Sequence, residues 1–272
     1  MPRGEMTRRQ FAGFMVGFAF AATQARGATG ALGLDHFKLR VSDLDKSVAF
    51  YQNLFGGRTV EIQGGSHLTP PGMRAIFLEI GSGETAMVFS PADSKVPVGL
   101  EHVSLGSFGM AVAARNNLPL AFPQEPYVFD PSGNLVEFAD KGLWETPGPY
   151  MKKWQLQPGV VNQHRAFEPL AIRRVSIRVS DMDRAADFYK IFGAEVPGSA
   201  SLVRREFDFR GTALELVSAG SPGLDGFSIA VRNFNRAAVR PSLRKLGIDA
   251  INHEANKSVA FRDPDGNRVE LS

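Results

Sequence analysis

Residues 34–52 read LDHFKLRVSDLDKSVAFYQ, and further along residues 172–190 read IRRVSIRVSDMDRAADFYK. Both open on strict alternation. Phe37, Leu39 and Val41 take one side and His36, Lys38 and Arg40 the other, the period of a strand with one buried face. Val175, Ile177 and Val179 repeat the pattern. Ser42 and Asp43 then offer an N-cap to a helix whose Val48, Phe50, Tyr51 and Leu54 form an apolar stripe, closed by Gly56-Gly57 as Gly193 closes its counterpart. The two stretches also end alike. FDPSGNLVEF at 129–138 and RDPDGNRVEL at 262–271 each set a tight Asp-Pro-x-Gly-Asn turn before a strand. The chain is thus an internal repeat, each half opening with a strand and helix and closing with a hairpin. Phe50-Tyr51 and Phe188-Tyr189 recur in both halves and read as core packing. Further strands fit 75–80, 85–90, 101–106, 127–130, 135–139, 203–209, 213–218, 226–231 and 259–262.

Between the repeats, residues 141–171 hold Pro147, Pro149, Pro158 and Pro169 and both tryptophans, Trp144 and Trp154. Such a segment is too aromatic for a free linker and is expected to pack along the surface of both halves. A length of 272 residues and 43% hydrophobic content suit two soluble domains with a core in each. Of the net charge of +3, two units belong to the first 25 residues, and no basic stripe interleaved with aromatics occurs, so nucleic-acid binding is not expected. The absence of cysteine leaves only His, Asp and Glu to hold a metal.

Residues 1–31 are expected to lie outside the fold. Thr7-Arg8-Arg9-Gln10-Phe11 precedes a short apolar run, Ala12 to Ala22, and then small residues to Ala31. The layout is that of a signal peptide, the run is too short for a stable membrane span, and the arginine pair resembles twin-arginine signals. That resemblance implies passage through the twin-arginine translocase and a periplasmic or secreted protein.

The repeated VSDLDKSVAFY and VSDMDRAADFY motifs, with the two hairpin endings, resemble the vicinal oxygen chelate superfamily: glyoxalase I, bleomycin-resistance proteins and type I extradiol dioxygenases. The resemblance implies an α+β fold of two tandem domains, 34–140 and 172–272, each of paired βαβββ modules curled around a cleft. It also implies ligand positions. In the first domain these fall on His36, His102 and Glu137, with Met87 at the fourth. Two imidazoles and one carboxylate resemble the set that holds non-haem Fe(II), the favoured divalent ion, while Zn, Mn or Ni suit the same donors. The matching positions of the second domain are Arg174, Glu215, Gly226 and Glu270, a salt-bridged cluster in place of a metal site.

By strand alternation Lys38, Arg40 and Ser104 share faces with the histidines. Lys38 and Arg40 either stabilise negative charge on a substrate or reach solvent at the cleft rim. His67, in the loop GGSHLTPPG, is either an acid/base at the cleft mouth or a solvated loop residue; His164, Tyr150 and Tyr127 are weaker candidates. The resemblance therefore points first to an extradiol-type dioxygenase acting on a small substrate, anionic or a vicinal diol, although the extradiol acid/base His and Tyr find no match here. It points second to a Zn- or Ni-dependent lyase or isomerase, against which Met87 counts, and third to a non-enzymatic binding or resistance protein.

Overall fold

The computed structural model describes residues 33–63, 67–81, 85–107, 110–140, 155–162, 164–251 and 258–272. The signal-like segment, Trp144, Trp154 and Tyr150 lie outside them. The first half runs β1 (Gly33–Val41), α1 (Leu44–Phe55), β2 (Gly57–Gln63), β3 (Arg74–Glu79), β4 (Ala86–Pro91), β5 (Gly99–Ser107), α2 (Met110–Arg115), β6 (Tyr127–Phe129), β7 (Leu135–Asp140) and β8 (Gln155–Asn162). The second runs β9 (Pro169–Val179), α3 (Met182–Tyr189), β10 (Ala194–Glu195), β11 (Arg204–Phe209), β12 (Thr212–Ser218), β13 (Gly223–Val231), α4 (Arg236–Lys245), β14 (Val259–Arg262) and β15 (Arg268–Leu271).

The helix starts are set as the repeat predicts. Asp43 and Asp181 cap α1 and α3 by accepting from the backbone N–H of Lys46 and Arg184. Gly56, at φ 68°, ends α1 in the left-handed region that glycine reaches without strain. Each half builds one mixed sheet, in the orders β6-β7-β5-β1-β4-β3-β2-β8 and β10-β11-β12-β9-β13-β15-β14. Their topologies match strand for strand. β1 runs parallel to β4 and antiparallel to β5, and β9 stands likewise to β12 and β13. The unmatched strand is β8. Part of the connecting segment, expected to pack along the surface of both halves, forms an edge strand hydrogen-bonded to β2.

One face of each sheet enters a shared apolar core. Phe37, Leu39, Met87 and Phe89 of the first half and Val175, Ile177, Leu214 and Phe227 of the second belong to the same buried cluster, with Phe37 and Phe227 ring centres 5.0 Å apart. The repeated tyrosines do more than pack. Tyr51 donates to Asp263 of the second turn at 2.8 Å, and Tyr189 donates to Asp130 of the first at 3.1 Å. Each half thus ties its helix to the closing turn of the other. Tyr51→Phe keeps the ring and deletes one buried hydrogen bond, so it is expected to lower the unfolding free energy by about 1–2 kcal/mol. Urea denaturation reads this directly, and an unchanged midpoint would contradict it.

Candidate metal centre

The opposite face of the first sheet carries the site. Paired residues on adjacent strands point the same way. His36 lies beside Ser104 and Ala86, Lys38 beside His102 and Val88, and Glu137 beside Ser104 and Tyr127. All of these therefore share one surface, away from Phe37, Leu39 and Val103. That register also corrects the fourth position. Met87 pairs with Phe37 and is buried in the core, and the site-facing neighbour is Val88, the counterpart of Glu215, which stands beside Ser176 as Val88 stands beside Lys38. A slip of one residue on a strand changes the face.

His36, His102 and Glu137 converge as the ligand positions imply. His36 Nε2 and His102 Nε2 lie 3.1 Å apart, and Glu137 Oε2 is 3.2 Å from the first and 3.4 Å from the second. All three residues are buried. Donors about 2.1 Å from one ion, at angles between octahedral and tetrahedral, stand about 3.0–3.4 Å from each other. The triangle has those edges, so the residues fit a divalent ion. Glu137 Oε2 accepts no aligned hydrogen bond, while Oε1 takes the Tyr127 hydroxyl at 2.9 Å. The Tyr127 ring also stands edge-on to His102, with centres 5.4 Å apart. Tyr127, a weak candidate in the sequence, thus touches two of the three donors.

Two charged neighbours escaped the sequence reading. Asp35 Oδ2 is 2.8 Å from His36 Nδ1, and Glu101 Oε1 is 3.3 Å from His102 Nδ1. Burial pushes the His36 imidazolium pKa down, but Asp35 and Glu137 outweigh it and raise the value from 6.5 to about 9. Burial pushes the Glu137 carboxyl up, yet the two histidines hold it well below the usual range. An ion at the triad must displace the His36 proton. Its affinity is therefore expected to rise by about tenfold per pH unit above neutrality and to level off near pH 9. Calorimetric titration across that range checks it; a flat profile would contradict it.

Lys38 and Arg40 do share the site face, but neither reaches solvent at a rim. Both are buried, and both pair with Glu101, Lys38 at 2.8 Å. Lys38 also donates to Thr69 Oγ1 at 2.7 Å, and Arg40 donates to the Leu68 and Pro91 carbonyls at 2.5 and 2.9 Å. Glu101, held down to about 2 against its burial by His102, Lys38 and Arg40, absorbs much of their charge. His67 lies outside the cluster. Its side chain is 66% exposed, its ring stacks on Phe122 at 4.9 Å, and its backbone N–H donates to Glu125. Phe122 in turn meets Tyr127, so two aromatic rings separate His67 from His102. His164 is exposed.

In the second sheet the same face carries Arg174, 3.1 Å from Glu270 and 3.6 Å from Glu215, with Arg204 and Arg268 closing on those carboxylates. A guanidinium stands where the first half gathers ring nitrogens. Among the described residues His36, His102 and Glu137 form the one group able to hold a metal ion.

Comparison with known proteins agrees with this architecture. Residues 33–117 match the family model of the Glyoxalase/Bleomycin resistance protein/Dioxygenase superfamily. A search of the curated proteins finds no match. Among solved structures, the 2,3-dioxygenase LapB from Pseudomonas sp. KL28 superposes with a TM-score of 0.59 at 15% identity, over 89% of this chain and 92% of that one. The Mn(II)-bound glyoxalase from Novosphingobium aromaticivorans gives 0.60 at 13% identity, over 89% and 82%. Homoprotocatechuate 2,3-dioxygenase from Brevibacterium fuscum, in complex with 3,4-dihydroxyphenylacetate, gives 0.56 at 14%, over 90% and 81%. At such identities the likeness is one of fold. Residues 33–117 thus match the glyoxalase/bleomycin resistance protein/dioxygenase superfamily model, and the described chain resembles two tandem domains of that fold.

Proposed function

We propose that the protein is a metal-dependent enzyme, most like an extradiol-type dioxygenase, in which His36, His102 and Glu137 hold Fe(II) and a small substrate chelates it through two oxygens. The observation that carries this reading is the triangle of two ring nitrogens and one carboxylate oxygen with edges of 3.1, 3.2 and 3.4 Å. A three-donor set leaves coordination positions open, and a bound ion of this kind supplies Lewis acidity toward the substrate oxygens and, as iron, a route for electrons to dioxygen. Around it the chain's own groups set polarity. Tyr127 fixes Glu137 through Oε1 and leaves Oε2 facing the histidines. On the same face Ile62, Ala75, Phe77, Ala86 and Val88 form an apolar cluster, and the Phe77 ring stands edge-on to His36 at 5.5 Å. This wall suits a substrate with an apolar or aromatic body behind its two oxygens. Lys38 and Arg40 act less as free anion receptors than as a buried frame around Glu101.

Oxygen consumption by the Fe(II)-loaded protein, prepared anaerobically and offered a panel of catechols, tests the reading. One O₂ consumed per catechol is the expected result. With iron bound and no uptake across the panel, the second reading, proton transfer by a lyase or isomerase with Zn or Ni, takes its place. Protein that takes up no metal would favour a binding or resistance role. The reading includes export to the periplasm or beyond through the twin-arginine translocase, supported by Arg8-Arg9, Phe11 and the apolar run after them. No helix among the described residues is long and apolar enough to cross a membrane.

A further inference from the structure

Strict alternation along β1 would place Asp35 beside Phe37 in the apolar core and leave Leu34 on the site face. The chain does the reverse: Leu34 is in the core, while Asp35 and His36 both turn to the site. The register explains it. Leu34 pairs with Leu105 and His36 with Ser104, so Asp35 is the extra residue of a β-bulge. On β5 the pairing steps from Lys38–His102 to Leu39–Leu100, which makes Glu101 the extra residue of a second bulge. A bulge re-aims the side chain it inserts. Here each inserts a carboxylate directly before a ligand histidine and turns it onto that ring's Nδ1.

The second half supplies an internal comparison. β9 and β13 skip register at the equivalent places, leaving Arg173 and Asp225 unpaired. The bulges therefore belong to the fold, and what differs is their content. Arg173 is exposed and Asp225 half-buried, and Arg174 and Gly226 follow them. Only where a histidine follows does the bulge hold a buried carboxylate, with Asp35 at 7% and Glu101 at 8% exposure. An unpaired carboxylate at such depth is strongly disfavoured, so burial and the imidazole partner go together.

Resting on the metal reading, we propose that Asp35 and Glu101 are paired positioning residues. Each accepts from, or faces, Nδ1 of the next histidine and so presents Nε2 as the metal donor. Imidazole can carry its proton on either nitrogen, and a carboxylate at Nδ1 selects the tautomer whose Nε2 lone pair is free. It also locks the ring's rotation toward the triad. The two are not equivalent. Asp35 serves His36, whereas Glu101 is shared with Lys38 and Arg40. Asp35 is therefore the residue on which orientation can be tested without disturbing the ion cluster.

The full chain, freed of metal and titrated with Co(II) alone, provides the test, with affinity and the visible spectrum of the bound ion as readouts. Asp35→Ala and Asp35→Leu remove the acceptor, the second while filling its space. Asp35→Asn keeps an oxygen that accepts from Nδ1–H. Tyr51→Phe, distant from the triad, controls for lost stability and is expected to bind as wild type does. Folded acceptor-less variants are expected to bind Co(II) about 10–100-fold more weakly, with an altered spectrum, and the asparagine variant to recover most of that loss. Wild-type affinity in a folded acceptor-less variant would overturn the inference, and so would an asparagine variant no better than alanine. Failure of the wild type itself to bind Co(II) would instead overturn the metal reading on which the inference stands.

Discussion

His102→Ala is expected to leave a folded protein that has lost its metal, with affinity down by about a hundred- to a thousandfold. Four-ligand zinc sites release about 10–16 kcal/mol on binding, so a single donor accounts for roughly 3–4 kcal/mol. His102 is one of only three donors, and its Nε2 faces those of His36 and Glu137 at 3.1 and 3.4 Å. Its loss opens the triangle without touching the apolar core, which lies on the opposite face of β5 through Val103 and Leu105. Arg174→Ala is the matched control. Arg174 stands where His36 stands in the first half, but its partners are Glu215 and Glu270. Metal content in that variant should equal that of the wild type. Elemental analysis of the two proteins side by side decides it, and metal lost from the Arg174 variant alone would move the centre to the other half.

Glu101→Gln is expected to be the most destabilising conservative change at the site, by about 3–5 kcal/mol. The side chains of Lys38, Arg40 and Glu101 are almost wholly withdrawn from solvent, at 5%, 2% and 2% exposure. Two buried cations beside a single carboxylate already stand in excess. Neutralising that carboxylate strands both charges, for which Glu101 is the carboxylate in ion-pair contact among the described residues. Burial already pushes the Lys38 ammonium pKa below its usual range, with Glu101 opposing that fall, so Lys38 is the group expected to lose its proton in the variant. The double change Lys38→Met, Glu101→Gln should recover part of the loss by removing one stranded charge. Equilibrium unfolding in urea measures both. A change under about 1 kcal/mol for the single variant would mean that the ion cluster is not the closed unit described here.

What the sequence disclosed, and what it did not, divides along a physical line. The alternation of 36–41 and 174–179, the Asp43 and Asp181 caps and the twin Asp-Pro-x-Gly-Asn turns are local signals, and β1, β9, α1 and α3 form where those signals lie. His36, His102 and Glu137 were legible through the family resemblance, and their strands bring them together. The bulges were not legible. They are set by pairing between strands far apart in the chain, so an alternating count carries Asp35 to the wrong face and says nothing of Glu101. The short helix around Pro241 was missed for another reason. Proline lacks an N–H and normally ends a helix, but α4 persists because Val239 and Leu243 are buried against the sheet. β8 hid among prolines, and pairing with the open edge of β2 makes it a strand.

The second half explains why a repeat need not repeat its chemistry. Both sheets share topology, bulge positions and crossed tyrosine–aspartate bonds, and those features build the fold. The site needs only a handful of side chains on one face. Exchanging His36 for Arg174 and His102 for Gly226 converts a metal-shaped triangle into an ion-pair cluster without altering the scaffold.

Crystals of the protein grown with Fe(II) or Co(II) and measured at that metal's absorption edge give the most direct test. One strong anomalous peak is expected, about 2.1 Å from His36 Nε2, His102 Nε2 and Glu137 Oε2 together. A map with no peak among those three atoms, or with its peak beside Glu215 and Glu270, would contradict it.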